Sequence, residues 1–367
     1  MIYFLINNNY HLELDLRLAK QLDNYNLGLI QVPYSLDVLV KHPLFDKVLS
    51  IENKNFSSFT RFFLHPFERI QIKKRINAIL KIDQNDILLV HTEIPSINQY
   101  LIQKFYDRGA KVFLLEDGTA TICDNNLPVL KAGFKNKIRT LFLNYVCGLK
   151  YTSILNLGGQ SVPRMQDSIF NGVIVNYGNE FKREIKLYHL NKEKENFDIS
   201  FDKGAIFFSQ PLYFWSLSEE DYINYIDKIL SISDSFSPFY FKFHPSEKEY
   251  VKTSIEKIIN LKYSKIIIIK EHIIAEKIIH KHPVKYALSF SSTSLLNLIR
   301  KGVTPVFLNN LFYQYYPSPD GLSFSDFLTS FNCYSPKTLS EIRPGFKALN
   351  KEFVNKKSYS ISEILKF

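Results

Sequence analysis

Short apolar runs of strand length alternate along this chain with stretches of helical periodicity. IYFLIN, LGLIQV, KVLSI, DILLVH and KVFLL read as strands, LELDLRLAKQL as a helix between the first two, and PSINQYLIQKFYDRG as a helix between the last two. Runs that are apolar throughout, rather than at every second position, belong to strands covered on both faces. Such strands form parallel sheets whose crossovers are helices. The best-marked unit spans 86–118: a strand, a helix opened by Pro95 and closed by Gly109, and a second strand that runs into Glu116-Asp117-Gly118.

Near residues 190–202 the sequence LNKEKENFDISFD loses its apolar periodicity and becomes charged, as a linker does. The alternation then restarts with GAIFFSQ, a helix near EEDYINYIDKILSI, PFYFKFHP, a helix through EKEYVKTSIEKIINL, KIIIIKE, and VKYALSF leading into SLLNLI. TPVFLNN follows, and SISEILKF reads as a short closing helix. A chain of 367 residues exceeds the roughly 250–300 at which one core stops growing. The expected organisation is therefore an N-terminal α/β domain over 1–190, a linker over 191–202 and a C-terminal α/β domain over 203–367.

Composition narrows the function classes. With 46% hydrophobic and 22% charged residues the chain reads as a soluble globular protein, and no run approaches the ~18 apolar residues of a membrane span. The opening MIYFLINNN lacks a basic leader region and reads as a strand, so no secretory signal is expected. Cys123, Cys147 and Cys333 are too scattered for a disulfide framework or a zinc site and suit a reducing cytoplasm. The net charge of +10 attracts phosphates, anionic lipid and acidic sugars. Nucleic acid is not the expected partner, because no finger spacing, RNP-type aromatic motif or Arg-rich arm is present.

In open parallel sheets ligands bind beyond the carboxyl ends of the strands, so polar residues there are the candidates. Glu116 and Asp117 follow VFLL, with Gly118 permitting a tight turn; a carboxylate there can serve as a base, and a plain Asp-Gly turn explains the tripeptide too. His244-Pro245 ends FYFKF, where an imidazole can hydrogen-bond a phosphate. Ser291-Ser292-Thr293-Ser294 lies between YALSF and an apolar helix, where hydroxyls and free backbone N–H groups can hold phosphate or simply cap the helix. Glu276 precedes that strand, and Ser209-Gln210 follows AIFF.

An acidic pair before Gly, then His-Pro, then a Ser-rich strand-to-helix turn, in that order, resembles the motif set of bacterial sialyltransferases, a group that includes lipooligosaccharide sialyltransferases and capsular polysialyltransferases. The resemblance implies a GT-B fold, two Rossmann-like domains facing each other across a cleft. It implies an inverting, metal-independent transfer from CMP-sialic acid to a surface glycan (lipooligosaccharide, O-antigen or capsule), free or lipid-linked. Glu116, with Asp117 as second choice, would be the base. His244 would face the CMP phosphate, Ser291, Ser292 and Thr293 would bind it, and Glu276 would hold the ribose. Ser209, Gln210 and Pro245 would line the donor side. The basic, apolar-interleaved segment with Lys131, Lys135, Lys137 and Arg139 would contact the inner face of the bacterial inner membrane. Two alternatives remain at this stage: another CMP-activated keto-sugar acid such as CMP-Kdo as donor, or a non-catalytic glycan-assembly protein on the membrane.

Overall fold

The fold is taken from a computed structural model. It describes residues 1–22, 24–35, 42–51, 70–93, 95–116, 141, 144, 153–155, 161–163, 165–175, 185–191, 201–214, 217–271, 273–292, 294–299, 301–311, 334–345 and 358–366. Two compact units divide the chain, one formed by Met1–Lys192 with Asn355–Phe367, the other by Glu193–Val354.

The first unit is built on β1 (Ile2–Asn8), α1 (Asn9–Ala19), β2 (Leu27–Ser35), β3 (Lys47–Ser50), β4 (Ile87–Val90), α2 (Ser96–Asp107) and β5 (Lys111–Leu115). A two-stranded antiparallel ribbon, β6 (Ser153–Leu155) and β7 (Ser161–Pro163), precedes β8 (Gly172–Val175) and β9 (Leu187–Leu190). Every pairing in the large sheet is parallel. Its order places β1 between β2 and β4, with β3 outside β2 and β5 outside β4. That is the Rossmann order, with its switch point between β1 and β4. The apolar runs behave as their composition demands: Phe4, Leu5, Leu88, Leu89 and Val112 are fully buried. Pro95 is the N-cap of α2, and Gly109 just past its end has φ +75°, a conformation that glycine adopts without strain. The neighbouring strand's Tyr188 also selects glycine at 172, where a Cβ would fall 2.4 Å from its ring.

The second unit contains β10 (Phe201–Phe208), α3 (Glu219–Leu230), β11 (Phe239–Lys242), α4 (Glu249–Lys262), β12 (Ile266–Ile269), α5 (Ala275–Lys281), β13 (Val284–Ser289), α6 (Ser294–Ile299) and β14 (Thr304–Phe307). The sheet is again all parallel, with β10 central between β11 and β13 and the switch point between β10 and β13. Helix α3 starts where Ser218 accepts from the Asp221 N–H at 3.1 Å, and its first turn carries Glu219, Glu220 and Asp221. Such carboxylates favour a helix N-terminus. Its buried face, Tyr222, Ile226, Ile229 and Leu230, repeats at helical spacing against Phe207, Phe241 and Phe290 of the core.

One boundary differs from the sequence expectation. The closing segment does not complete the second unit: β15 (Ser358–Tyr359) pairs in parallel with β9, and α7 (Ile361–Lys366) buries Ile361, Ile364 and Leu365 in the core of the first. The first sheet has an open edge at β9 that main-chain hydrogen bonds from residues 358–359 cover, and the apolar face of α7 joins a core that already exists there. Ile364→Ala should destabilise the protein by about 2–5 kcal/mol, since a fully buried side chain leaves a cavity. Hydrogen exchange should then show protection lost from β8 and β9 while β10–β14 keep theirs.

Candidate functional site

At the carboxyl edge of the second sheet, β10 ends in Ser209-Gln210, β11 runs through Phe243 to His244, and β13 ends at Ser289, two residues before Ser291. Because β10 is the central strand, the Ser-Gln dipeptide reaches both neighbours. On the β11 side the buried Ser209 Oγ accepts from the His244 N–H at 2.9 Å. On the β13 side Gln210 Oε1 accepts from the Ser291 N–H at 2.6 Å and lies 3.2 Å from Ser289 Oγ. Ser289 Oγ gives its single proton to the Phe208 carbonyl at 2.8 Å. The two loops are thus tied to one strand end.

His244 is half-buried, and the turn that follows sets its chemistry. The Ser246 N–H donates to His244 Nδ1 at 3.1 Å, so Nδ1 is the acceptor and the neutral ring carries its proton on Nε2. Burial, with Lys242 adding repulsion, holds the imidazole below its ordinary pKa. The ring therefore presents an Nε2–H donor at neutral pH. The Glu247 N–H closes the turn onto the His244 carbonyl at 3.0 Å, and Pro245 is exposed within it.

Beneath this turn lies a group that strand-end reasoning passed over. Glu247 is buried, and Ser209 Oγ, Tyr222 OH and Tyr213 OH donate to its carboxylate at 2.9, 2.5 and 3.0 Å. Burial raises its pKa, opposed by those three hydrogen bonds and by Lys252. Burial also pushes the Tyr213 hydroxyl up to about 12 and raises that of Tyr222, so both remain protonated donors.

Ser292 Oγ accepts from the Ser294 N–H at 3.3 Å, a capping contact at the start of the six-residue α6. Glu276 lies in the first turn of α5; nothing is described of its side chain. Thr293, Asp117 and Gly118 lie outside the described residues, as do Lys131, Lys135, Lys137, Arg139 and the three cysteines. Glu116 belongs to the first unit. It follows β5 directly, is 4% exposed, and its N–H donates to the Ile174 carbonyl at 3.0 Å, which continues the β5–β8 ladder.

The switch point of that first sheet holds further buried polar residues which the sequence reading did not single out. Asn7, at the end of β1, and Asn98 on α2 exchange side-chain hydrogen bonds at 3.2 and 2.8 Å, and Asn98 also donates to the Thr92 carbonyl at 2.8 Å. His91 Nε2 lies 2.8 Å from Asp15 Oδ1, and the His11 ring stacks on His91 at 4.4 Å. Burial drives the Asp15 carboxyl upward, with His91 and His11 opposing. The available signal was His91 itself, which ends the apolar run DILLV.

Two all-parallel sheets, each with a Rossmann switch point and with polar residues gathered at its carboxyl edge, define a GT-B-type glycosyltransferase fold. Residues 20–300 match the family described as alpha-2,8-polysialyltransferase (POLYST), and the chain belongs to that family. It is accordingly a sialyltransferase-type glycosyltransferase. Among solved structures it is similar to a putative UDP-N-acetylglucosamine 2-epimerase from Listeria monocytogenes, with a TM-score of 0.50 and 10% identity over 84% of this chain and 78% of that one. It is also similar to the GT-B domain of a sialyltransferase from Photobacterium damselae, with a TM-score of 0.44 and 13% identity over 88% of this chain and 96% of that one. Likeness at these identities is one of fold. The search of curated proteins found no match. Among the described residues no helix is long and apolar enough to cross a membrane.

Proposed function

We propose that this protein transfers sialic acid from CMP-sialic acid to a bacterial surface glycan with inversion at the anomeric carbon. The observation that carries the reading is the His244 turn, which fixes Nδ1 as an acceptor and leaves Nε2–H as donor on a loop tied, like the Ser291 loop, to the Ser209-Gln210 strand end. Departure of CMP builds negative charge on its phosphate while the sugar becomes oxocarbenium-like. A fixed donor in a partly desolvated site stabilises that charge without reorganising. The Ser291 and Ser292 hydroxyls add further donors to the phosphate, and Glu276 accepts from the ribose. Glu116 takes the proton from the attacking hydroxyl, and in-line attack inverts the centre. A monophosphate leaving group assisted in this way needs no divalent metal.

The family's description supports an acceptor that itself ends in sialic acid, extended through repeated α2,8 transfer. We place the reaction at the inner face of the inner membrane, with the segment around Lys131, Lys135, Lys137 and Arg139 against anionic lipid. The test is CMP release from CMP-sialic acid and, in parallel, CMP-Kdo, with a sialylated acceptor, with and without chelator. Release from CMP-sialic acid alone, dependent on acceptor, indifferent to chelation and accompanied by longer products, is expected. Release from CMP-Kdo alone reassigns the donor. No release from either sinks the enzyme reading and leaves a glycan-assembly binding protein.

A further inference from the structure

Glu247 takes no part in the chemistry laid out above, yet three hydroxyls converge on its carboxylate. An ionised carboxylate only accepts, so each hydroxyl must spend its single proton on it. For Ser209 this decides everything else. With its proton committed to Glu247 Oε1, its lone pairs are left for the His244 N–H. Glu247 closes the turn from the other end, its own N–H donating to the His244 carbonyl at 3.0 Å. Tyr213 extends the network, since its oxygen also accepts from the Lys248 N–H at 2.9 Å and so holds the chain as it enters α4. Burial of Glu247 at 5% exposure keeps water from substituting for any of these partners.

We infer that Glu247 is a positioning residue for the transfer reaction: by orienting the Ser209 hydroxyl it locks the His244 turn and aims the His244 Nε2–H at the leaving phosphate. It acts through Ser209 and the turn and touches no reacting atom. The inference rests on the role proposed for His244, so its test needs one measurement made without any donor.

That measurement is the imidazole ¹⁵N spectrum of the free protein. In the wild type, His244 should show one neutral tautomer, with the proton on Nε2. Glu247→Ala should give a mixture, because the Ser246 N–H is no longer held against Nδ1. Turnover should fall about 10²-fold, the loss typical of a misplaced catalytic group, with the donor KM nearly unchanged. Glu247→Asp, which keeps the charge, should recover part of both effects, whereas Glu247→Gln, which replaces an acceptor with a donor, should not. If Glu247→Ala does not fold, Tyr213→Phe removes one of the three bonds and should show the same changes at smaller size. A folded variant with the wild-type His244 tautomer overturns the inference, whatever its turnover. If the wild type releases no CMP while the tautomer still collapses in Glu247→Ala, the functional reading fails but the hold of Glu247 on His244 stands.

Discussion

His244→Ala should yield a folded protein that still binds CMP but transfers sialic acid about 10²–10⁴-fold more slowly, the range typical of a lost proton-donating group. The turn should survive the change because its main-chain bonds do not need the imidazole. The residue 244 N–H still reaches Ser209 Oγ, and its carbonyl still accepts from the Glu247 N–H. Only the Nε2–H and the Nδ1 contact to Ser246 are removed. His42 and His282 serve as controls. His42 Nδ1 accepts from the Leu44 N–H, and the His282 ring packs on Tyr240, so neither stands at a strand end that faces the candidate site. Alanine at either position should leave turnover near wild type. Transfer rate and CMP affinity, measured together, decide the matter: near-normal turnover in a folded His244→Ala protein ends the assignment.

Glu116→Gln should have an effect of similar size, with shape and CMP affinity preserved. Glutamine is nearly isosteric with glutamate, and the main chain at 116 is pinned to the Ile174 carbonyl independently of the side chain. A base used only in the transition state contributes to turnover and not to ground-state binding, so kcat should drop by about 10²–10⁴-fold while donor affinity stays level. Asp117→Asn should cost less, as expected for a neighbour that shapes the turn. Full transfer by both variants would make the acidic pair a structural turn and leave the acceptor without a base.

Much of this arrangement was legible in the sequence, for a specific reason. Strands covered on both faces are apolar throughout, and IYFLIN, KVFLL and FYFK stand out as β1, β5 and β11. The residues that follow such runs are fixed at the carboxyl edges of the sheets by topology alone, which is how Glu116, Ser209, Gln210, His244 and Ser291 could be named as candidates. What stayed hidden depends on pairings distant in sequence. Glu247 reads as one more acidic residue before a helix until Tyr213 and Tyr222, more than twenty positions upstream, fold over it. Asp15 lies 76 residues from His91 and sits on a helix face where a carboxylate is unremarkable. Two-residue β15 carries no periodicity at all, and its partner β9 lies in the middle of the chain.

The return of residues 358–366 to the first sheet bears on how the protein assembles during synthesis. Domains fold largely as units, in the order they leave the ribosome. Here the first unit is discontinuous, with Glu193–Val354 inserted between its main body and its last strand and helix. The inserted unit is contiguous, and the five strands described in its sheet emerge before β15 exists. The second unit, with the His244 turn, can therefore complete its sheet on the nascent chain. The first, although synthesis begins with it, must hold the edge of β9 uncovered until Ser358 and Tyr359 arrive.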